Sequence, residues 1–118
     1  MSPEIQLWIS LGYGVFMLLL ALFFRRKPPA KINHLYGYRT KRSMKNQATW
    51  KAGNDYSARM FVQMSWALLI LPPLLYVLYP QWILLLTIGV QLVLLICLMI
   101  FTEKYLKQRF DQDGHPIE

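Results

Sequence analysis

Apolar residues in this chain are gathered into three long runs, separated by one extended polar stretch and one very short one. The first run, IQLWISLGYGVFMLLLALFF, covers Ile5–Phe24 without a charged residue, and Gln6 and Ser10 are polar interruptions near its start. The second, MFVQMSWALLILPPLLYVLY, covers Met60–Tyr79, and the third, WILLLTIGVQLVLLICLMIF, covers Trp82–Phe101. Each is about 20 residues, the length at which an α-helix matches the hydrocarbon thickness of a bilayer. Backbone amides find no water partners in lipid, so the runs are expected to be helical. Pro80 and Gln81 alone separate the second run from the third, which predicts a tight antiparallel hairpin. Pro72 and Pro73 remove two backbone donors within the second run and predict a kink there.

The expected fold class is therefore all-α: an integral membrane protein with three transmembrane helices and a cytoplasmic polar helical connector. Residues 1–24 hold the first helix, 25–59 the basic connector, 60–102 the helical hairpin and 103–118 a cytoplasmic tail. With 118 residues, 55% hydrophobic and 16% charged, a soluble domain would have to bury nearly all its apolar residues in one small core. The first run is expected to be retained, not cleaved as a leader. Glu4 is the only charge before it, whereas Arg25, Arg26 and Lys27 follow it, the reverse of a secretory signal.

Charge then sets the expected orientation. All 13 Lys and Arg residues lie either between the first and second runs or after the third. Basic residues near spans favour the cytoplasmic side, so the amino terminus is expected outside and the carboxyl terminus inside a bacterial cytoplasmic (inner) membrane. Trp8, Tyr79 and Trp82 fall at the opposite ends of the helices, where amphipathic rings favour the headgroup layer. The net charge of +7 is placed where anionic lipid would attract it, and no motif of groove or single-strand readers accompanies it. Membrane lipid, not nucleic acid, is the expected partner.

The connector carries the chemistry worth weighing. Pro28 and Pro29 end the first helix, Gly37 offers a turn, and Ser43 is a candidate N-cap for a following helix. At about 100° per residue, Asn46, Trp50, Asn54, Ser57 and Phe61 share one stripe, with Gln47 and Ala58 beside it and Lys45 and Arg59 opposite. This special face is uncharged and hydrogen-bonding, unlike the oily face of a helix lying on a membrane. A helix continuing straight into the second span would extend the stripe to Ser65 and Leu68. Two readings stay open: a structural lock tying the connector to the helix ends, or a binding face. In the latter, Arg39 would hold an anionic group or carbonyl, the Asn amides a peptide backbone and Trp50 a flat apolar surface.

The stretch NHLYGYRTKRSMKNQATWKAGN, residues 33–54, resembles the motif of the SdpI family. That motif runs Asn, a short gap, Gly-x-Arg-Thr, a Ser or Thr, Asn, Trp and a further Asn or His. By the resemblance, Asn33, Gly37, Arg39, Thr40, Ser43, Asn46, Trp50 and Asn54 take the family's characteristic positions. The resemblance implies a bacterial membrane protein that confers immunity to a secreted peptide toxin, or a signal transducer that holds a transcriptional repressor at the membrane. The best-known members carry additional helices ahead of the matching part, so this chain looks like a minimal unit.

Other candidates change the picture little. No Asp, Glu, His, Lys or Arg lies within the three runs, where a proton relay or intramembrane protease would need one. Thr40, Ser43 and His34 are close in sequence without a fixed nucleophile–base geometry. No cofactor and no metal site are expected: His34 and His115 stand apart, and Cys97 is the single cysteine, in an apolar helix. Asp55 is placed to pair with Lys51 or Arg59 at four-residue spacing. The intramembrane polar residues Gln63, Ser65 and Gln91 serve either helix association or, in an oligomer, a solute path. Gly12 and Gly14 could support such packing. The tail, with Gly114 and Pro116, is expected to fray.

The expected function is thus SdpI-like immunity or signalling by binding a membrane-active peptide, not by chemistry. A peptide toxin, a regulatory protein and a second copy of the chain are the expected partners beside lipid. A small transporter-like or assembly subunit with a structural connector is the alternative, and an intramembrane enzyme the third reading.

Overall fold

A computed structural model describes residues 1–117, and these form three α-helices with no named strand. Helix α1 is Pro3–Arg26, α2 is Gln47–Leu78 and α3 is Ile83–Arg109. All three are long and apolar enough to cross a membrane. Ser2 caps α1 by accepting the Ile5 amide at 3.2 Å, with Pro3 at the first turn, Glu4 near the positive end of the helix dipole, and Arg25 and Arg26 near the negative end.

Helix α2 has 32 residues, which is about 48 Å at 1.5 Å per residue, against about 30 Å of hydrocarbon. It therefore cannot lie wholly in lipid, and its first turns, Gln47–Arg59, stand beyond the apolar run as a polar extension of the span. The long dimension of the molecule is 52 Å, so this one helix nearly sets it. The helix continues through Pro72 and Pro73, and Pro72 is buried against the other helices.

Packing follows a narrow stripe on each helix. On α1 the buried residues are Gln6, Ser10, Gly14, Leu18 and Ala21, spaced by three or four and mostly small. A Cβ at Gly14 would lie 3.3 Å from the Leu69 side chain, so that glycine serves close approach of α1 and α2 within the chain. Gly12 meets nothing within 4 Å. The outer faces carry large apolar residues, including Phe16, Leu19, Ile70 and Val77 with 59–77% exposure. Water would make that surface untenable, whereas lipid solvates it.

Polar side chains tie the hairpin end. Gln6 donates to the Gln81 carbonyl at 3.4 Å and accepts the Leu84 amide at 3.1 Å, so α1 is clasped to the turn between α2 and α3. Tyr13 donates to Gln91, and the Ser65 hydroxyl donates to the Met17 carbonyl at 3.4 Å. Trp8, Tyr79 and Trp82 are exposed at this same end.

The C-terminal segment departs from the expectation of fraying. After α3, Phe110 pairs with Pro116 in an antiparallel bridge, and Asp111 accepts the amides of Asp113 and His115 at 2.9 Å each. Asn46 reaches across to donate to the Gly114 carbonyl at 2.8 Å. A local carboxylate cap and one tertiary hydrogen bond supply what the polar composition of the tail conceals.

Candidate functional site

The connector between α1 and α2 is held by side chains that bond almost entirely to backbone. Asn33 accepts the amides of Leu35 and Tyr36 at 2.9 Å each, turning the chain after the prolines. Gly37 follows with φ of 107°, a conformation that side-chain-bearing residues rarely adopt. A Cβ there would sit 2.7 Å from Asn54 Oδ1 and 2.7 Å from Pro29 Cγ, so space and backbone both demand glycine.

Thr40 and Ser43 close the next turn reciprocally. The Thr40 amide donates to Ser43 Oγ at 2.9 Å, the Ser43 amide donates to Thr40 Oγ1 at 3.1 Å, and Ser43 Oγ donates to the Tyr38 carbonyl at 2.9 Å. Ser43 is fully buried and does not cap α2. The cap is Asn46: its side chain accepts the Thr49 amide at 2.9 Å, and Thr49 Oγ1 accepts the Asn46 amide at 3.1 Å. This reciprocal arrangement satisfies two otherwise orphaned donors, which explains why the helix begins three residues later than Ser43 would have it.

Above the cap, the stripe read from the sequence faces inward. Trp50, Asn54, Ser57 and Ala58 are buried, Asn46 and Phe61 half-buried, and the face runs on to buried Ser65 and Leu68. Gln47 is exposed, its side chain donating to the Ala30 carbonyl. Trp50 has no exposed surface, and its indole N–H donates to the Pro29 carbonyl at 2.7 Å. Asn54 accepts the Tyr38 amide at 2.7 Å and donates to the Trp50 carbonyl at 2.9 Å. Arg39 is exposed and donates to the His34 carbonyl. Lys51 pairs with Asp55 at 3.2 Å.

Three residues besides the motif's characteristic ones complete this region. The Tyr38 hydroxyl donates to Glu103 at 2.8 Å, and Arg42 lies 3.3 Å from the same carboxylate, joining the connector to the end of α3. Burial, and then the Glu103 carboxylate, hold the Tyr38 phenol above its usual value near 10, so it stays a donor. The sequence signal was available: Glu103 is the one acid in an otherwise basic stretch just past the third run, and Tyr38 occupies the variable position of Gly-x-Arg-Thr.

The intramembrane polar residues do not meet. Ser65 and Gln91 both turn to α1, at Met17 and Tyr13, while Gln63 is exposed on the outer face of α2. The tail holds the one group of candidate metal ligands among the described residues: Asp111, Asp113 and His115, all exposed, with ligand atoms within 4.8 Å of one another. His115 is thus not apart from other ligand types, but Asp111 is already engaged by backbone amides. Those amides, led by that of His115, lower its carboxyl below the usual Asp value.

A cavity of about 210 Å³ sits directly against the motif. Its wall on the connector side is Pro29, Gly37, Tyr38, Asn54 and Ser57, and its apolar wall is Phe24, Ala58, Phe61, Leu95 and Leu98. The packing of α3 explains it. Buried positions on that helix run Ile83, Thr87, Gln91 and then Thr102, Leu106, with none between. Leu95 and Leu98 lie in that interval and face the opening instead of a neighbouring helix.

The sequence matches the SdpI/YfhL protein family over residues 29–102. A protein named in Bacillus subtilis (strain 168) as the uncharacterized protein YfhL is 41% identical over 49 residues, 42% of this chain and 44% of that protein. The match thus spans less than half of that relative's length. No solved structure matches the chain significantly. The matched segment contains most of the connector, all of α2 and most of α3, and with them every residue lining the cavity except Phe24 of α1. The chain belongs to the SdpI/YfhL protein family.

Proposed function

We propose that the chain is an immunity or signalling protein of the SdpI type that binds a membrane-active peptide in the cavity beside Gly37 and Asn54. The observation that carries this reading is the gap in α3 packing between Gln91 and Thr102, which leaves an apolar-walled opening at the family motif. A membrane-inserted peptide could place an apolar side chain against Phe61, Leu95 and Leu98 and a backbone or polar group near Ser57 and Asn54. Binding, not chemistry, suits the site: the Thr40 and Ser43 hydroxyls are taken up by backbone groups instead of being poised beside a base. The amino terminus and the hairpin lie outside the cell and the connector in the cytoplasm of a bacterium, in keeping with the basic residues on the connector and α3 end.

A second reading rests on a different observation. Asn33, Ser43, Trp50 and Asn54 all make their hydrogen bonds to backbone of their own chain. The motif would then be a structural lock in a small assembly subunit.

Leu95→Trp separates the two, because Leu95 is 41% exposed at the rim and can grow into the opening without disturbing the lock. Cells expressing the wild type or this variant are challenged with a panel of secreted peptide toxins while membrane abundance is quantified. Protection by the wild type, lost at equal abundance in the variant, supports binding in the cavity. Undiminished protection by Leu95→Trp rejects the cavity, and failure of the wild type across the panel rejects immunity to the peptides tested.

A further inference from the structure

A second concavity, of about 750 Å³, lies on the other side of the Tyr38–Glu103 contact, between the turn at residues 40–45 and the last turns of α3. Lys41, Arg42, Lys45, Lys104 and Lys107 line it, with Glu103 as its one acid. Glu103 is already engaged by Tyr38 and Arg42. The four lysines are exposed, and among the described residues none pairs with a carboxylate. Like charges held together without counterions call for an anion.

The rest of the lining says which anion. Met99 and Ile100 form the groove's other border and are 48% and 55% exposed. Along α3, exposed Leu92, Ile96 and Met99 follow one another at spacings of four and three, so an apolar track descends the helix into the charged groove. A soluble anion would use the charges alone. A molecule with a phosphate at one end and an acyl chain at the other uses both.

We infer that this groove is a binding site for an anionic phospholipid, whose headgroup phosphate lies among Lys41, Lys45, Lys104 and Lys107 and whose acyl chain follows the Ile96–Met99 face of α3. The site belongs to the leaflet at the connector end whichever way the protein is inserted, and it is independent of the peptide reading above. The lipid joins the connector turn to α3 across an edge where Tyr38–Glu103 and Arg42–Glu103 are the protein's own bridges.

Native mass spectrometry of the purified full chain in detergent, titrated with phosphatidylglycerol or phosphatidylcholine, tests this. The groove variant Lys41→Gln/Lys45→Gln/Lys107→Gln is compared with an equal charge loss at Arg25→Gln/Arg26→Gln/Lys31→Gln. Attraction of about 1 kcal/mol per basic residue near an anionic surface leads to an expected loss of phosphatidylglycerol adducts of about tenfold or more in the groove variant. The control variant is expected to retain them, phosphatidylcholine to bind weakly, and excess inorganic phosphate to leave the adduct in place. Equal losses in the two variants, equal retention of the neutral lipid, or displacement by phosphate would each overturn the inference. Lys107→Glu alone, on an exposed turn of α3, gives the same comparison should the triple variant fold poorly.

Discussion

The two ends of this bundle are held by different means. At the connector end, the side chains of Asn33, Ser43, Asn46, Trp50 and Asn54 take up backbone groups of the loop and of the first turn of α2, and Gly37 allows the close approach of Asn54 and Pro29. Along the helices, the side-chain polar ties between them are few and separate: Tyr76 to Glu4, Gln6 to the turn, Tyr13 to Gln91, Ser65 to Met17. The difference reflects what the backbone needs. Helices satisfy their own amides and can meet through small residues such as Gly14 and Ala21, whereas a loop of about 20 residues must be given partners one by one. The connector is therefore the region where single substitutions should cost most.

Replacing Trp50 with Ala is the strongest test of that contrast. It empties a fully buried site and strands the Pro29 carbonyl, for an expected loss of about 3–5 kcal/mol in SDS-induced unfolding from mixed micelles. A much smaller loss would place the connector on the same footing as the spans. Gly37→Ala should follow at about 3 kcal/mol at most for its positive φ, together with a clash against Asn54 and Pro29 that shows as lower membrane abundance.

Substitutions in the spans are expected to be milder. Gln91→Leu removes the partner of Tyr13, and interhelical hydrogen bonds in membranes are worth about 0.6 kcal/mol on average. An unfolding shift larger than that of Gly37→Ala would reverse the comparison. Acid tests the tail more gently. The folded pKa of Asp111 lies below the unfolded one, so its contribution is present above the ordinary Asp value of 3.8 and lost as pH falls through the folded value. The protection of the Asp113 and His115 amides, relative to their intrinsic exchange rates, should fall over that range, and Asp111→Asn should remove the dependence. Gln63→Leu, on an exposed apolar face of α2, should leave stability unchanged or slightly raised, and protection along with it.

The uncharged stripe from Asn46 to Phe61 was legible because helical periodicity fixes which residues share a face. Its continuation through Ser65 and Leu68 follows from the same geometry once α2 is unbroken. The helix start was not, since Ser43 and Asn46 are both good caps by type. Thr49 decided between them by completing the reciprocal pair with Asn46, while Thr40 drew Ser43 into the preceding turn. The order of the tail was hidden for a similar reason: Gly114, with φ of 84°, reads as a chain breaker until Asn46 is found bonded to its carbonyl.

What the sequence determined by itself is the existence, length and helical nature of the three spans, because the absence of water in lipid leaves an apolar run of that length no other structure. It also determined the place of the polar motif between the first two spans. Only the tertiary structure decided that Trp50 and Asn54 face the backbone of the loop, that Glu103 ties α3 to Tyr38, and that α3 leaves an opening at Leu95 and Leu98. Those outcomes depend on contacts between residues far apart in the chain, and periodicity along one helix carries no information about which neighbour its face will meet.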